Sequence, residues 1–431
     1  MKNFIASLVV CFLLVSQSAN AQVTIIQAPA NHQFVDIGYD AVNNDVRIVG
    51  HDFNNNEAPT LYELNANQDG FNTQTLANLP GATIQATVTS ISSDANRISG
   101  FSNGPNTNFD FEGVTWETSS PNTPIGIGFL NTPVSASNTS VSTAAFSDGV
   151  VGSSGGATRS IIWDTTNGIQ ELPGTNNFTT EARGVSSNGE IVAGPSSHEN
   201  LSGAAYFWAR QADNSYNIQR LDDVIEGHIT IRAVANDVSP NGNYIIGEIL
   251  AFSPAGSSVF YPVIWEGSER TLRVLRDSNG NFFQGNAVDV SDEGFTVGHF
   301  FNAALTDAFG FIWQPEFGGN IRLFEDWLDE VAPSNTFTAG TFDVNSIASV
   351  DERLLFTLLD RNGVYALVDV TLDATVLLGD VDLDGSVNFL DIGPFISVLS
   401  SQSFQAEADI DQNRVVNFLD IAPFIGVLSM Q

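Results

Sequence analysis

Apolar triplets ending in tryptophan recur along most of the chain: Val114-Thr115-Trp116, Ile161-Ile162-Trp163, Tyr206-Phe207-Trp208, Val263-Ile264-Trp265 and Phe311-Ile312-Trp313. Upstream of each stands a second pattern, an apolar stretch ending in Ser, then a turn of Asp, Asn and Gly, then a β-branched pair and a closing Gly. Five copies are clear: Ser90-Ile91-Ser92-Ser93-Asp94 to Gly100, Ala145-Phe146-Ser147-Asp148-Gly149 to Gly152, Gly184-Val185-Ser186 to Gly194, Asp237-Val238-Ser239 to Gly247, and Asp289-Val290-Ser291 to Gly298. A weaker copy precedes them, from Ala41 to Gly50, and a degenerate one follows around Ser346-Ile347-Ala348-Ser349. The triplets are too short for helices and are bounded by turns, so they predict buried strands. The turns supply positive φ angles and side-chain-to-backbone hydrogen bonds between adjacent strands. After each triplet comes a polar turn and another strand, such as Gly168-Ile169-Gln170-Glu171-Leu172, giving four short strands per unit.

A lone four-stranded sheet of this size leaves one face uncovered, and radial stacking of copies covers it. Seven units at a period of about 50 residues predict an all-β, seven-bladed β-propeller, with each Trp packed between neighbouring blades. A β-solenoid or a string of β-sandwiches is the rival arrangement. The last unit has Ala366-Leu367-Val368 where a Trp triplet is expected, and Val23-Thr24-Ile25-Ile26 alternates like a strand that would complete this last blade. Leu323 to Glu330 has helical spacing and predicts a short surface helix near the sixth blade. The repeat resembles the extracellular HAF-type repeat, which implies the fold and an exported setting.

Composition sharpens the setting. Lys2 and Cys11, the chain's lone lysine and lone cysteine, both fall in the first 21 residues, where an apolar run from Phe4 to Val15 leads to Ala19-Asn20-Ala21. That is the form of a secretory signal cleaved before Gln22, and its apolar run is too short to span a bilayer. Without cysteine beyond it, disulfides, thiol catalysis and cysteine-held zinc are excluded. With 49 acidic against 15 basic residues and a formal net charge of -34, the surface repels phosphates and anionic lipids. Nucleic acid is therefore not an expected partner, nor is membrane insertion of the mature chain. Divalent cations suit it.

The C-terminus carries the sharpest chemistry. Asp380, Asp382, Asp384, Ser386, Asn388 and Asp391 place oxygen donors on alternate positions, with Gly385 after the third and a carboxylate closing the twelfth. This is the spacing of an EF-hand-type calcium loop, with Ser386 offering its carbonyl. Four carboxylates in twelve residues repel one another without a cation. The pattern recurs 29 residues later as Asp409, Asp411, Asn413, Val415, Asn417 and Asp420. There Arg414 stands in place of the turn glycine and Asn413 in place of the third carboxylate, which predicts weaker Ca2+ binding. The flanks repeat as well, Val387 to Ile396 against Val416 to Ile425, with Pro394 and Pro423 early in each expected helix.

This duplicated loop-helix module resembles a type I dockerin domain. The resemblance implies a small all-α domain folded around calcium. It also implies partner contacts near the end of each loop, at the positions of Phe389, Leu390, Phe418 and Leu419, which are more apolar than the hydroxyl pairs common in cellulosome dockerins. Either these four residues pack the two helices together, or they form a twofold docking surface for a protein such as a cohesin or for a polysaccharide.

Weaker patterns have ordinary explanations. Gly152-Ser153-Ser154-Gly155-Gly156 matches a serine-elbow string, but a strand follows it rather than the helix an elbow requires. None of the five histidines, His32, His51, His198, His228 and His299, has another histidine or a cysteine at helical spacing. The expected organisation is a signal peptide over 1–21, a propeller over 22–375 and a dockerin-like module over 376–431. The expected function is that of a secreted, non-catalytic interaction protein at a bacterial surface or in an extracellular assembly. The alternative is a polysaccharide-active hydrolase or lyase bearing such a module.

Overall fold

A computed structural model of the chain describes residues 22–103, 111–130, 140–155, 159–174, 180–198, 201–301, 307–315, 320–331, 343–350, 353–360, 363–371, 381, 387–401, 408, 410 and 417–428. Residues 1–21 and the calcium-loop positions Asp380, Asp382, Asp384, Ser386, Asp409, Asp411, Asn413 and Val415 lie outside these. The chain divides into two compact units, the larger spanning 23–327 with 336–370 and the smaller including 371–431.

The larger unit is a seven-bladed β-propeller. Its strands form seven four-stranded antiparallel sheets, covering 32–75, 87–126, 140–171, 184–220, 229–274, 284–323 and 343–371. The seventh takes its fourth strand from the other end of the chain: β1 (Gln22–Gln27) lies beside Tyr365–Thr371. The first strand of each sheet touches the first strands on both sides, and the series returns from the seventh blade to the first. The ring is therefore closed by packing as well as by β1.

The repeat glycine has a steric cause. Six of the first strands bulge at the same point, between Phe34 and Asp36, Val88 and Ser90, Ser142 and Ala144, Ala235 and Asp237, Ala287 and Asp289, and Val344 and Ser346. A bulge bends its strand toward its neighbour. The closing glycine of the second strand lies under that bend. At Gly50, Gly152 and Gly247 a Cβ would stand 1.8, 1.9 and 1.9 Å from the carbonyl oxygens of Gln33, Val141 and Val234. Only a residue without a side chain fits there.

The tryptophans fill the seams between blades. Trp116 packs with Val49 and Leu61 of blade 1, Trp208 with Val151 and Ile162 of blade 3, and Trp265 with Ala193 and Phe207 of blade 4. Each of these three donates its indole N–H to a carbonyl in the segment entering its own blade, Ala77, Pro173 and Asp222 respectively, at 2.7 Å. Blade 1 uses Tyr62 at the same register, opposite Ile48, against Leu355 and Leu367 of blade 7. Blade 7 lacks the aromatic triplet. The sixth tryptophan, Trp327, comes from the expected helix, α1 (Phe324–Val331), and with Phe324 meets Phe356 edge-on at 5.5 and 4.9 Å. Phe324 and Trp327 are thus part of the propeller's packing.

The turns follow the sequence pattern. Gly189, Gly242 and Gly294 hold positive φ, and Ala95 does so in blade 2, whose turn has no glycine. Ser92, Ser186 and Ser239 point their hydroxyls at Asp94, Asn188 and Asn241 at 2.6–2.9 Å. Ser154 ends one strand of a hairpin whose partner strand is Arg159–Asp164, so it is no serine elbow.

Candidate functional site

The first strands enclose an axial cavity of about 300 Å³, lined by residues of all seven blades. The position immediately after each of the six bulges, with the matching register of blade 4, reads Asp36, Ser90, Ala144, Gly184, Asp237, Asp289 and Ser346 around the ring, and Asp36, Ser90, Ala144, Asp237 and Asp289 line the cavity. Three carboxylates thus converge from positions far apart in the chain.

Asp36 accepts hydrogen bonds from its neighbour Ile37 N at 2.8 Å, from Ile91 N of blade 2 at 2.9 Å and from Ser346 Oγ of blade 7 at 2.6 Å. Asp289 accepts from Val290 N at 2.6 Å and from Ile347 N of blade 7 at 2.7 Å. Asp237 hydrogen-bonds Asp289 through their carboxyl groups and sits over Gly184, where any side chain would meet its Oδ1 at 2.7 Å. Asp36 and Asp237 keep some accessible surface because they face the cavity, yet protein surrounds them. Burial, then the Asp289 charge, pushes Asp36 up to about 6 against the hydrogen bonds of Ser346 and Ile91. Burial, then Asp289, also raises Asp237 well above the usual carboxylate range. Arg183 faces the same cavity, but Glu181 holds it at 3.0 Å and Asn236 Oδ1 at 3.4 Å. Asp237 and Asp289 bond to each other, rather than standing apart across a cleft as two carboxyls that bracket a glycosidic bond do.

The C-terminal unit shows the duplicated design in its described residues. Asn388 caps a 3-10 turn (Phe389–Asp391) that leads into α2 (Ile392–Ser401). Its side chain accepts from Leu390 N at 2.8 Å, and Asp391 Oδ2 accepts from Asn388 N at 2.8 Å, a reciprocal capping box. Before α3 (Ile421–Leu428), Asn417 accepts from Leu419 N and Asp420 from Asn417 N, both again at 2.8 Å. Asp391 and Asp420 are fully buried. Pro394 and Pro423 each occupy the third position of their helix, where no intrahelical amide bond is lost. Phe395 and Phe424 stack at 4.1 Å and 7° in a core with Val381, Val398, Ala408 and Ile410.

Packing between the helices is therefore the work of the stacked phenylalanines. Phe389, Leu390, Phe418 and Leu419 are 79%, 68%, 81% and 67% exposed, so the expectation that they pack the helices together is corrected. They stand at the exposed tips of the capping boxes, where the backbone amides bond to Asn and Asp and the side chains project outward. For the calcium loops, the described donors Asn388, Asp391, Asn417 and Asp420 are hard oxygen ligands brought together in pairs, which fits a calcium ion. Among the described residues no group of three His, Cys, Asp or Glu is arranged to hold a metal, and no helix is long and apolar enough to cross a membrane.

The axial carboxylates were not anticipated from sequence. The signal available was the repeat column itself, in which Asp36, Asp237 and Asp289 share one register. No family model matches the chain, and no curated protein resembles it in sequence. Among solved structures it is similar to the β-propeller domain of the Trilobed protease from Pyrococcus furiosus, at 13% identity and TM-score 0.46 over 78% of this chain and 95% of that one. It is also similar to TolB from Acinetobacter baumannii, at 12% and 0.37 over 79% and 65%. A Mycobacterium tuberculosis puromycin-hydrolyzing peptidase matches at 11% and 0.43 over 81% and 53%.

Proposed function

We propose that the chain is an exported binding protein, a propeller platform joined to a calcium-ordered, dockerin-like module that docks it to a protein or polysaccharide partner at the cell surface or in an extracellular assembly. The observation that carries this reading is the outward placement of the same Phe-Leu pair in both copies of the module, above two fully buried carboxylates. Exposed large apolar residues in a small unit lower solubility without a compensating use, and they suit an interface. Bound calcium would supply the positive charge that lets the loop carboxylates cluster. Asp391 and Asp420 would hold it from the capping boxes, beside the loop donors Asp380, Asp382, Asp384, Asp409 and Asp411.

Calcium titration of the full chain by calorimetry tests the metal, with a tighter first loop and a weaker second loop as the expected result. Docking is tested on envelope material of the producing cells, with and without a chelator. A Phe389→Ser/Phe418→Ser variant should keep calcium binding and lose capture. Capture that survives both chelator and variant refutes the docking role.

A further inference from the structure

The ring closes where the two ends of the propeller's chain meet, and side chains of the axis stitch that seam. Asp36 ties blade 1 to blade 2 through Ile91 N and to blade 7 through Ser346 Oγ. Asp289 ties blade 6 to blade 7 through Ile347 N. Two carboxylates thereby hold four consecutive blades, and Asp237 of blade 5 extends the set through its contact with Asp289. A hydrogen bond between two carboxyl groups needs a proton on one of them.

We propose that Asp36, Asp237 and Asp289 form a proton-operated latch on this seam, which tightens the propeller when its surroundings turn mildly acidic. With a proton on Asp237, Asp289 keeps both amide bonds and accepts from Asp237. When the proton leaves, Asp237 and Asp289 repel each other beside Asp36, in a cavity that protein shields from bulk water. The charged groups facing this cluster, among the described residues, are these three aspartates and Arg183 with its partner Glu181. The first strands of blades 2, 3 and 7 bring only hydroxyls and amides, through Thr89, Ser90, Thr143, Asn345 and Ser346.

The sign follows from linkage. Groups raised in the fold contribute stability that is fully present below the ordinary carboxylate range and is lost as pH rises through about 6 for Asp36, and through a window raised above the ordinary carboxylate range for Asp237. Two histidines, His51 buried and His299 half-buried, act in the opposite sense. Desolvation holds His51 and His299 below their ordinary value, so the unfolded chain gains protons before they do as pH falls. The latch is therefore read as a difference between variants.

The full chain is melted at pH 7.5 and 5.5 at matched ionic strength, alongside Asp237→Asn, in which the amide supplies the missing donor at any pH. The variant should melt above the wild type at pH 7.5, and the gain on going to pH 5.5 should shrink. An unchanged pH difference between the two proteins overturns the latch. Hydrogen exchange in the wild type decides independently of the variant's folding. Protection of the Ile91 and Ile347 amides, corrected for intrinsic rates, should rise at pH 5.5, and equal protection at both values overturns the proposal.

Discussion

Replacing Gly247 with alanine probes the physical cause of the whole repeat. Gly247 is the middle member of a ladder, paired with Ala235 on one side and Val263 on the other. A Cβ there would stand 1.9 Å from Val234 O, 3.0 Å from its carbon and 3.1 Å from Ala235 Cα. Ordinary contact begins near ~3.4 Å, so the bulged strand would have to retreat by more than about 1 Å. The atoms in the way are backbone, held by two ladders, and no flexible side chain can give way. Overpacking of this kind costs about 3 kcal/mol, less ~0.4–1 kcal/mol gained from stiffening the unfolded chain. The net loss of roughly 2–3 kcal/mol is a large share of a typical stability of ~5–15 kcal/mol. The control is Gly174, which has nothing within 4 Å of the same added atom and no positive φ, and whose replacement by alanine should be neutral or slightly stabilising. Urea unfolding followed by far-ultraviolet circular dichroism reads the difference. At a slope of ~3 kcal/mol/M the Gly247→Ala midpoint should fall by roughly 0.7–1 M, and the Gly174→Ala midpoint should hold or rise. Equal midpoints for the two variants would refute the steric account of the closing glycine.

Trp116→Phe should cost about 1–3 kcal/mol more than Trp313→Phe in the same assay. Both indoles are fully buried, but Trp116 bonds Ala77 O whereas Trp313 Nε1 has no partner among the described residues; equal costs would remove the indole bond from the account. Phe395→Ala breaks the 4.1 Å stack with Phe424 and should cost ~3–5 kcal/mol, more than a module of this size can lose. Limited proteolysis should then trim the C-terminus back to a stable propeller, and a C-terminus as resistant as the wild type would contradict it. Deleting residues 22–27 should leave Tyr365–Thr371 as an open sheet edge and raise the particle size in light scattering as the protein aggregates; an unchanged size with an unchanged melting temperature would show β1 to be dispensable.

What could be read from the sequence follows from which features repeat. The closing glycine and the Trp triplet were legible because each blade must solve the same contact, a carbonyl under a bulge and a seam between sheets. Tyr62 was harder to see because a phenol fills the same seam, and here only the register opposite Ile48 identifies it. Trp327 was read as part of a surface insertion because it reaches its seam from a helix, outside the repeat register. The exposure of Phe389 and Phe418 depends on a capping box whose pairing, Asn388 with Asp391 and Asn417 with Asp420, takes both amides inward. The calcium-loop spacing in the sequence does not specify that side-chain direction. The axial aspartates lay furthest from view, since Asp36 and Asp289 meet only when the ring closes. Their register is otherwise filled by Ser90, Ala144, Gly184 and Ser346, residues that pack or bond quietly. Identity at a repeat position reports what every blade needs in order to stand. Departure from identity, as at this one register, marks where neighbouring blades face different charges, and there the symmetric frame acquires a side that a proton can distinguish.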